Sequence, residues 1–286
     1  MIPHGAAVGV LPAFAQPPAA AGSRRDTPSP EEALSVILYE YPFNERMRTY
    51  LRLEQLLLRL GELIPRAQAL DHHFALATLF ELMDVAARSD LKADLFKDID
   101  KHKQQLESYR GNPSISEQAL DAVLEQLEHC HAALNAEPGK IGQSLTENEW
   151  LMGIRNRIGI PGGTCSFDLP AYHAWQHQSP EARQQDLQHW AGTLAPLAQT
   201  VYLLLKLLRN AGMPQKVAVV GGQFQQNLPQ GRTYQLLRLR IDPALGLIPE
   251  ISGNRLLLSV RLLRQQADGR LLASGEDAAF EIALCA

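Results

Sequence analysis

The stretch Ser35-Val36-Ile37-Leu38-Tyr39-Glu40-Tyr41-Pro42 decides how this chain must fold. Its β-branched, aliphatic and aromatic residues read as a strand, and Pro42 ends it. The chain from Asn44 to Gly212 is then patterned for helices. A lone strand cannot satisfy its own backbone N–H and C=O groups. It is therefore expected to cross over the helical block and pair with strands near the C-terminus.

Such strands are present in the sequence. Lys216 to Val220, Tyr234 to Ile241, Arg255 to Arg264 and Phe280 to Leu284 are short, rich in β-branched or aliphatic residues, and separated by Gly, Pro, Asn and Asp. In Leu237-Arg238-Leu239-Arg240-Ile241 the alternation is strict, which places the apolar residues on one face and both arginines on the other.

The helical block opens at Asn44, a good N-cap, with Met47, Tyr50, Leu51, Leu57 and Leu58 at helical spacing behind it. Asp71 through Tyr109 predicts two helices punctuated near Ser89, and Gly111-Asn112-Pro113 breaks the pattern. Ser116 to Leu134, Glu147 to Ile158, Pro180 to Trp190 and Leu194 to Ala211 continue the series.

The expected fold is α+β. A mainly helical domain (44–213) precedes a small antiparallel β-domain (214–286), which also takes in the N-terminal strand (34–43). Residues 1–33 are rich in Ala, Pro and Gly. Ala13-Phe14-Ala15 resembles a signal cleavage site, but no Lys or Arg precedes it and Pro12 interrupts the apolar run. This segment is expected to be a disordered tail whose removal leaves folding intact.

Composition bounds the function. The chain has 286 residues, 45% of them apolar, with a net charge of −4. No basic excess points to nucleic acid, and aromatics are not interleaved with the strand arginines. Three cysteines without a C-x-x-C pair argue against a disulfide framework or a structural zinc site and fit a reducing cytoplasm. The apolar run from Val201 to Leu208 is broken by Lys206 and falls far short of a bilayer span. Val219-Val220-Gly221-Gly222 lacks the Lys-Ser/Thr of a phosphate loop and the G-x-G-x-x-G of a dinucleotide turn. No cofactor is expected, and neither nucleic acid nor a membrane is expected as a partner.

Two constellations could carry function. The first is Ile160 to Gln178, IPGGTCSFDLPAYHAWQHQ, which gathers Cys165, Ser166, Asp168, His173 and His177. It raises the alternatives of a Cys/His-dependent hydrolase or a metal-binding protein. It matches neither the G-x-S-x-G elbow nor the papain-type cysteine signature. Ala174 stands where a zincin carries Glu after its first His. The simpler reading is a folding element. Pro161-Gly162-Gly163 turns, Cys165-Ser166-Phe167 is extended with Phe167 buried, and Asp168 caps a helix carrying Pro170 in its first turn. Tyr172 and Trp175 then dock that helix on the core.

The second constellation is basic. Arg48, Arg52 and Arg59 form one stripe on the first helix, and six arginines lie between Arg232 and Arg264 against Asp242 and Glu250. Arg238 and Arg240 share a strand face, with Arg261 expected on a neighbouring strand. Such a face suits an acidic peptide held by forked, charge-assisted contacts.

Three separated motifs, YEYPFNERMRTYLRLE (39–54), IGIPGGTCSFDLPAYHAWQH (158–177) and LIPEISG (247–253), give the chain from about Ser35 onward a specific resemblance to the ZapD family of cell division proteins. That resemblance implies a cytoplasmic, non-enzymatic homodimer located at midcell on the division ring. It implies binding to the C-terminal tail of the tubulin-like GTPase FtsZ, bundling of its protofilaments, and no metal. The helical part would supply the dimer contact. Carried over by motif, the tail-binding positions are Arg52, Arg88 (closing Met83-Asp84-Val85-Ala86-Ala87-Arg88), His173 and Arg261, with Arg255 close by. Glu149 and Leu257 stand where relatives can carry basic residues. The expected pocket is therefore either less positive than in relatives or rebuilt with Arg238, Arg240 or Arg255.

Overall fold

The structure is a computed structural model and describes residues 36–87 and 90–286. The expected tail, 1–33, lies outside the described residues, as does Arg88. Among the described residues the chain divides into two compact units. One is Thr49–Leu204; the other combines residues 36–48 with Leu205–Ala286.

The first unit is helical. Its elements are α1 (Glu45–Leu63, which starts in the second unit), α2 (Ala69–Ala86), α3 (Leu91–Glu107), α4 (Glu117–Ala136), α5 (Gln143–Thr146), α6 (Glu149–Ile158), α7 (Pro170–Gln176), α8 (Pro180–Gly192) and α9 (Ala195–Asn210, which ends in the second unit). Caps set several starts. Asn44 Oδ1 accepts from Met47 N at 2.9 Å, Asn148 Oδ1 from Leu151 N at 3.0 Å, and Ser179 Oγ from Ala182 N at 3.2 Å. Tyr50, Leu53, Leu57 and Leu60, spaced three and four apart on α1, are all buried. The Tyr50 hydroxyl donates to buried Asp98 at 3.0 Å and ties α1 to α3.

The second unit is a β-sandwich. The expected crossover occurs. β1 (Ile37–Pro42) pairs antiparallel with β4 (Leu236–Ile241), in a register that runs from Ile37 opposite Ile241 to Pro42 opposite Leu236. With β2 (Pro214–Val219) and β8 (Ala278–Cys285) they form a sheet of order β1-β4-β8-β2. The other sheet has order β3-β6-β5 from Gln223–Asn227, Leu257–Gln265 and Ile248–Gly253, and β7 (Leu271–Ala273) also pairs with β6.

Leu237, Leu239 and Ile241 of β4 and Leu258, Val260 and Leu262 of β6 join Phe280 and Ile282 in one buried core. Each fully buried side chain of this kind is worth about 1.5–3 kcal/mol. At the corner where β1 ends, Tyr41 Oη accepts from Gly253 N at 3.2 Å. A Cβ on Gly253 would come within 2.6 Å of the Phe43 ring, so only glycine fits this corner without rearrangement.

β3 and β5 do not read as strands in the sequence. β3 is QFQQN, poor in β-branched residues, and β5 contains Pro249 and ends at Gly253. Their strand state is imposed by pairing with the apolar β6, a tertiary effect that outweighs local preference.

Candidate functional site

Within the helical unit, the segment 159–178 is a folding element. Gly162 takes a left-handed φ of +68° in a tight series of turns. Gly163 N donates to Ile160 O at 2.8 Å, and Asp168 N and Leu169 N both reach Cys165 O at 3.0 Å. Three expectations are corrected here. Cys165-Ser166-Phe167 is not extended but part of this series of turns. Phe167 is not buried; it is 82% exposed. Asp168 does not cap α7, whose N-cap is Leu169; its carboxylate instead faces the Arg157 guanidinium at 3.6 Å. The turns around Cys165 close on themselves and project the Phe167 side chain outward.

The docking of α7 agrees with the pattern. Tyr172 and Trp175 are buried, and the chain's three tryptophans meet around them. Trp150 stacks on Trp190 at 5.2 Å and meets Trp175 edge-on at 5.6 Å, while Trp175 Nε1 donates to Asp186 at 2.9 Å. The Tyr172 hydroxyl lies 2.8 Å from His73 Nδ1, and burial pushes the Tyr172 phenol well above its ordinary range.

A staple absent from the sequence reading holds the end of this segment. Arg183 is 4% exposed and faces four neutral acceptors. Its Nε donates to His72 Nδ1 at 2.9 Å, Nη2 to Ala67 O at 2.7 Å, and Nη1 to Gln176 O at 3.0 Å and to Gln178 O. With Nδ1 accepting from a guanidinium, His72 carries its proton on Nε2 and donates to Arg66 O at 2.7 Å. Burial, foremost, and then the Arg183 charge hold the His72 imidazole below its usual pKa. No sequence motif marks this staple, because its partners come from 111 residues apart.

No imidazole or carboxylate hydrogen-bonds the Cys165 thiol among the described residues, and no group of three His, Cys, Asp or Glu there is arranged to hold a metal. His173 and His177 are exposed with ring centroids 4.4 Å apart, and His177 Nδ1 lies 2.8 Å from His173 O. The arrangement leaves His173 a surface residue on the side of α7 away from the aromatic cluster. Among the described residues no single helix is long and apolar enough to cross a membrane.

The basic residues divide between the units. Arg52, in the helical unit, is exposed and has no ion-pair partner among the described residues. Arg48 pairs with Glu45 and Arg59 with Glu81, both at 3.0 Å.

In the sandwich, Arg238 and Arg240 do leave one face of β4, as the alternation requires. Arg238 is largely covered and donates to Glu40 at 3.1 Å; Arg240 donates to Glu281 at 2.8 Å. Arg261 is not on a neighbouring strand of that sheet. It belongs to β6 in the second sheet, points away from the shared core, and donates to Glu250 across the β5–β6 pair at 2.9 Å. The sandwich therefore places Arg238 and Arg240 on one outer face and Arg261 on the other. Arg255 is exposed beside Asn254, whose Oδ1 accepts from Leu256 N at 2.8 Å and Leu257 N at 3.0 Å; among the described residues Arg255 has no ion-pair partner.

These features describe an α+β chain with paired and unpaired surface arginines and, among the described residues, no assembled nucleophile. Comparison with known proteins gives its class: a cell division protein. A family model described as "ZapD: Cell division protein" matches residues 51–261. "Cell division protein ZapD" of Janthinobacterium sp. (strain Marseille) is 49% identical over 250 residues, covering 87% of this chain and 99% of the relative. Proteins of the same name from Ralstonia pickettii (strain 12J) and Ralstonia nicotianae (strain ATCC BAA-1114 / GMI1000) are each 50% identical over 251 residues, again covering 87% of this chain and 99% of each relative. The chain belongs to the ZapD family.

Proposed function

We propose that this protein is a non-enzymatic adapter of the cytoplasmic division ring that binds the C-terminal tail of FtsZ and, as a homodimer, crosslinks and bundles FtsZ protofilaments. Two copies related by a two-fold axis present two identical tail sites. A filament offers many tails, so bridging gains from effective concentration even when each contact is weak.

The observation that carries this reading is the condition of the arginines. Arg261 and Glu250 form an exposed pair, each side chain 52% accessible. Such a pair is worth only about 0–1 kcal/mol, so an incoming carboxylate can exchange for Glu250. Arg255 and Arg52 need no exchange. Arg238 is better occupied: Glu40 holds it in a partly covered ion pair, which favours a structural role.

On the sandwich, Arg261 and Arg255 are the proposed partners of tail carboxylates; Arg52, His173 and Arg88 are further proposed positions, each carried over by motif. Arg240 serves as a second-rank cation. The test is co-sedimentation of the purified protein with polymerised FtsZ, with and without its C-terminal tail. Bundling that requires the tail supports the reading; equal gathering of tail-less polymers overturns it.

A further inference from the structure

Among the described residues, Phe167 has the most exposed large apolar side chain, at 82%. A bulky aromatic at the end of an irregular segment would ordinarily fold back onto the core; this one is held out. Asp168 N and Leu169 N share the Cys165 carbonyl, and the Asp168 carboxylate is tied to Arg157 on the preceding helix. Gly163 tolerates no side chain, because a Cβ there would lie 2.5 Å from Arg157 O and 2.8 Å from Ile160 Cβ. The turn is thus locked from both ends. A local failure of sequence logic is where a functional or strained site is expected.

The segments flanking Phe167 in the chain carry a guanidinium, imidazoles and apolar surface. Arg157 retains 49% side-chain exposure despite its carboxylate partner, His173 and His177 are exposed on the helix that comes next, and Ile160 on the same loop is 48% exposed. We propose that Phe167 is the apolar anchor of the partner contact, engaging an apolar side chain of an extended acidic peptide whose carboxylates are met by Arg157 and His173. This rests on the tail-binding reading above and adds to it an apolar component that the arginines do not supply.

A second copy of this chain fits the feature poorly. An aromatic side chain covers about 150–250 Å², whereas a stable dimer needs about 800 Å² from each partner. One phenylalanine and one isoleucine suit a peptide anchor. Anchors of this kind carry a disproportionate share of the energy of a small contact.

The experiment uses the full chain and a fluorescent synthetic peptide of the FtsZ C-terminal tail, followed by anisotropy. Wild type, Phe167→Ser and Phe167→Leu are compared, with melting midpoint and sedimentation-equilibrium mass recorded for each. The expected result is binding at least about tenfold weaker for Phe167→Ser, largely restored in Phe167→Leu, with unchanged midpoint and mass. Peptide binding by wild type that Phe167→Ser leaves undiminished overturns the anchor alone. A lower mass for Phe167→Ser assigns the residue to a contact between copies and also overturns it. No peptide binding by wild type overturns the tail reading, and the anchor with it.

Discussion

Glu40 grips Arg209 at two points, accepting from Nε at 2.8 Å and from Nη2 at 2.6 Å. The same carboxylate accepts from Arg238 Nε at 3.1 Å. One acid on β1 thus bridges two guanidiniums, one from the end of α9 and one from β4. Their side chains are only 16–22% exposed, so water screens the cluster weakly. Glu40→Ala leaves two cations side by side and is expected to destabilise the protein by about 2 kcal/mol. The urea midpoint measures this, and an unchanged midpoint would contradict a structural role for Glu40.

Acid should loosen the helical unit. Burial is the foremost cause lowering the pKa values of His72, His73 and His102. Unfolded histidines titrate near about 6.5. The folded protein therefore binds fewer protons than the unfolded chain as pH drops below that value. The stability these residues contribute is fully present above it and is lost as pH falls toward their folded pKa values. The urea midpoint is expected to be lower at pH 5.5 than at pH 7.5. His72→Gln, a neutral side chain that can still accept from Arg183, should flatten part of that dependence.

Arg183 is the harder residue to replace. Arg183→Lys loses the planar fork and leaves some of its four acceptors unpaired, at an expected cost of about 3 kcal/mol. Thermal unfolding of the lysine variant within a degree of wild type would be incompatible with this account.

For the tail contact, charge reversal separates binding from folding. Arg261→Glu breaks only an exposed pair, so stability should change by less than about 1 kcal/mol. Co-sedimentation with FtsZ should weaken severalfold and fall further as salt rises, because the contact is electrostatic. Retained bundling would remove Arg261 from the site. Cys165→Ala serves as the matched control. Its thiol takes part in no side-chain hydrogen bond among the described residues, and bundling should survive the change.

One glycine offers a sharp stability test. Gly222 has φ +71°, and a Cβ there would sit 1.6 Å from Ser274 O. Gly222→Ala must move backbone and should cost several kcal/mol, on the order of 3 or more. Gly231→Ala, at φ +96° with open space around it, should cost only about 1 kcal/mol. Equal midpoints for the two variants would contradict the packing at Gly222.

The parts of this molecule legible in its sequence are those fixed by local period. The alternation of Leu237 to Ile241 defines the inward and outward faces of β4, and an unaccompanied strand at Ile37 implies its distant partner. Asn44 and Ser116 mark helix starts because capping is a contact over three residues. What escapes depends on long-range encounters. Arg238 finds Glu40 across 198 positions, and Arg261 lies on a different sheet from Arg238, which residue spacing alone does not reveal. Phe167 escapes for the opposite reason: apolarity predicts burial, and nothing local signals a side chain held in solvent.

The order β1-β4-β8-β2 sets a timetable for biosynthesis. The earliest of these strands to leave the ribosome finds no partner until Leu236–Ile241 has emerged, about ten to forty seconds later at ordinary elongation rates. The latest of them, Ala278–Cys285, occupies a central place between β4 and β2. The sandwich therefore stays open in the middle until almost all of the unit has been synthesised. A chain cut short before Ala278 would lack an interior rung of the sheet, leaving β4 paired on one side only, with β1, and β2 without its neighbour in that sheet.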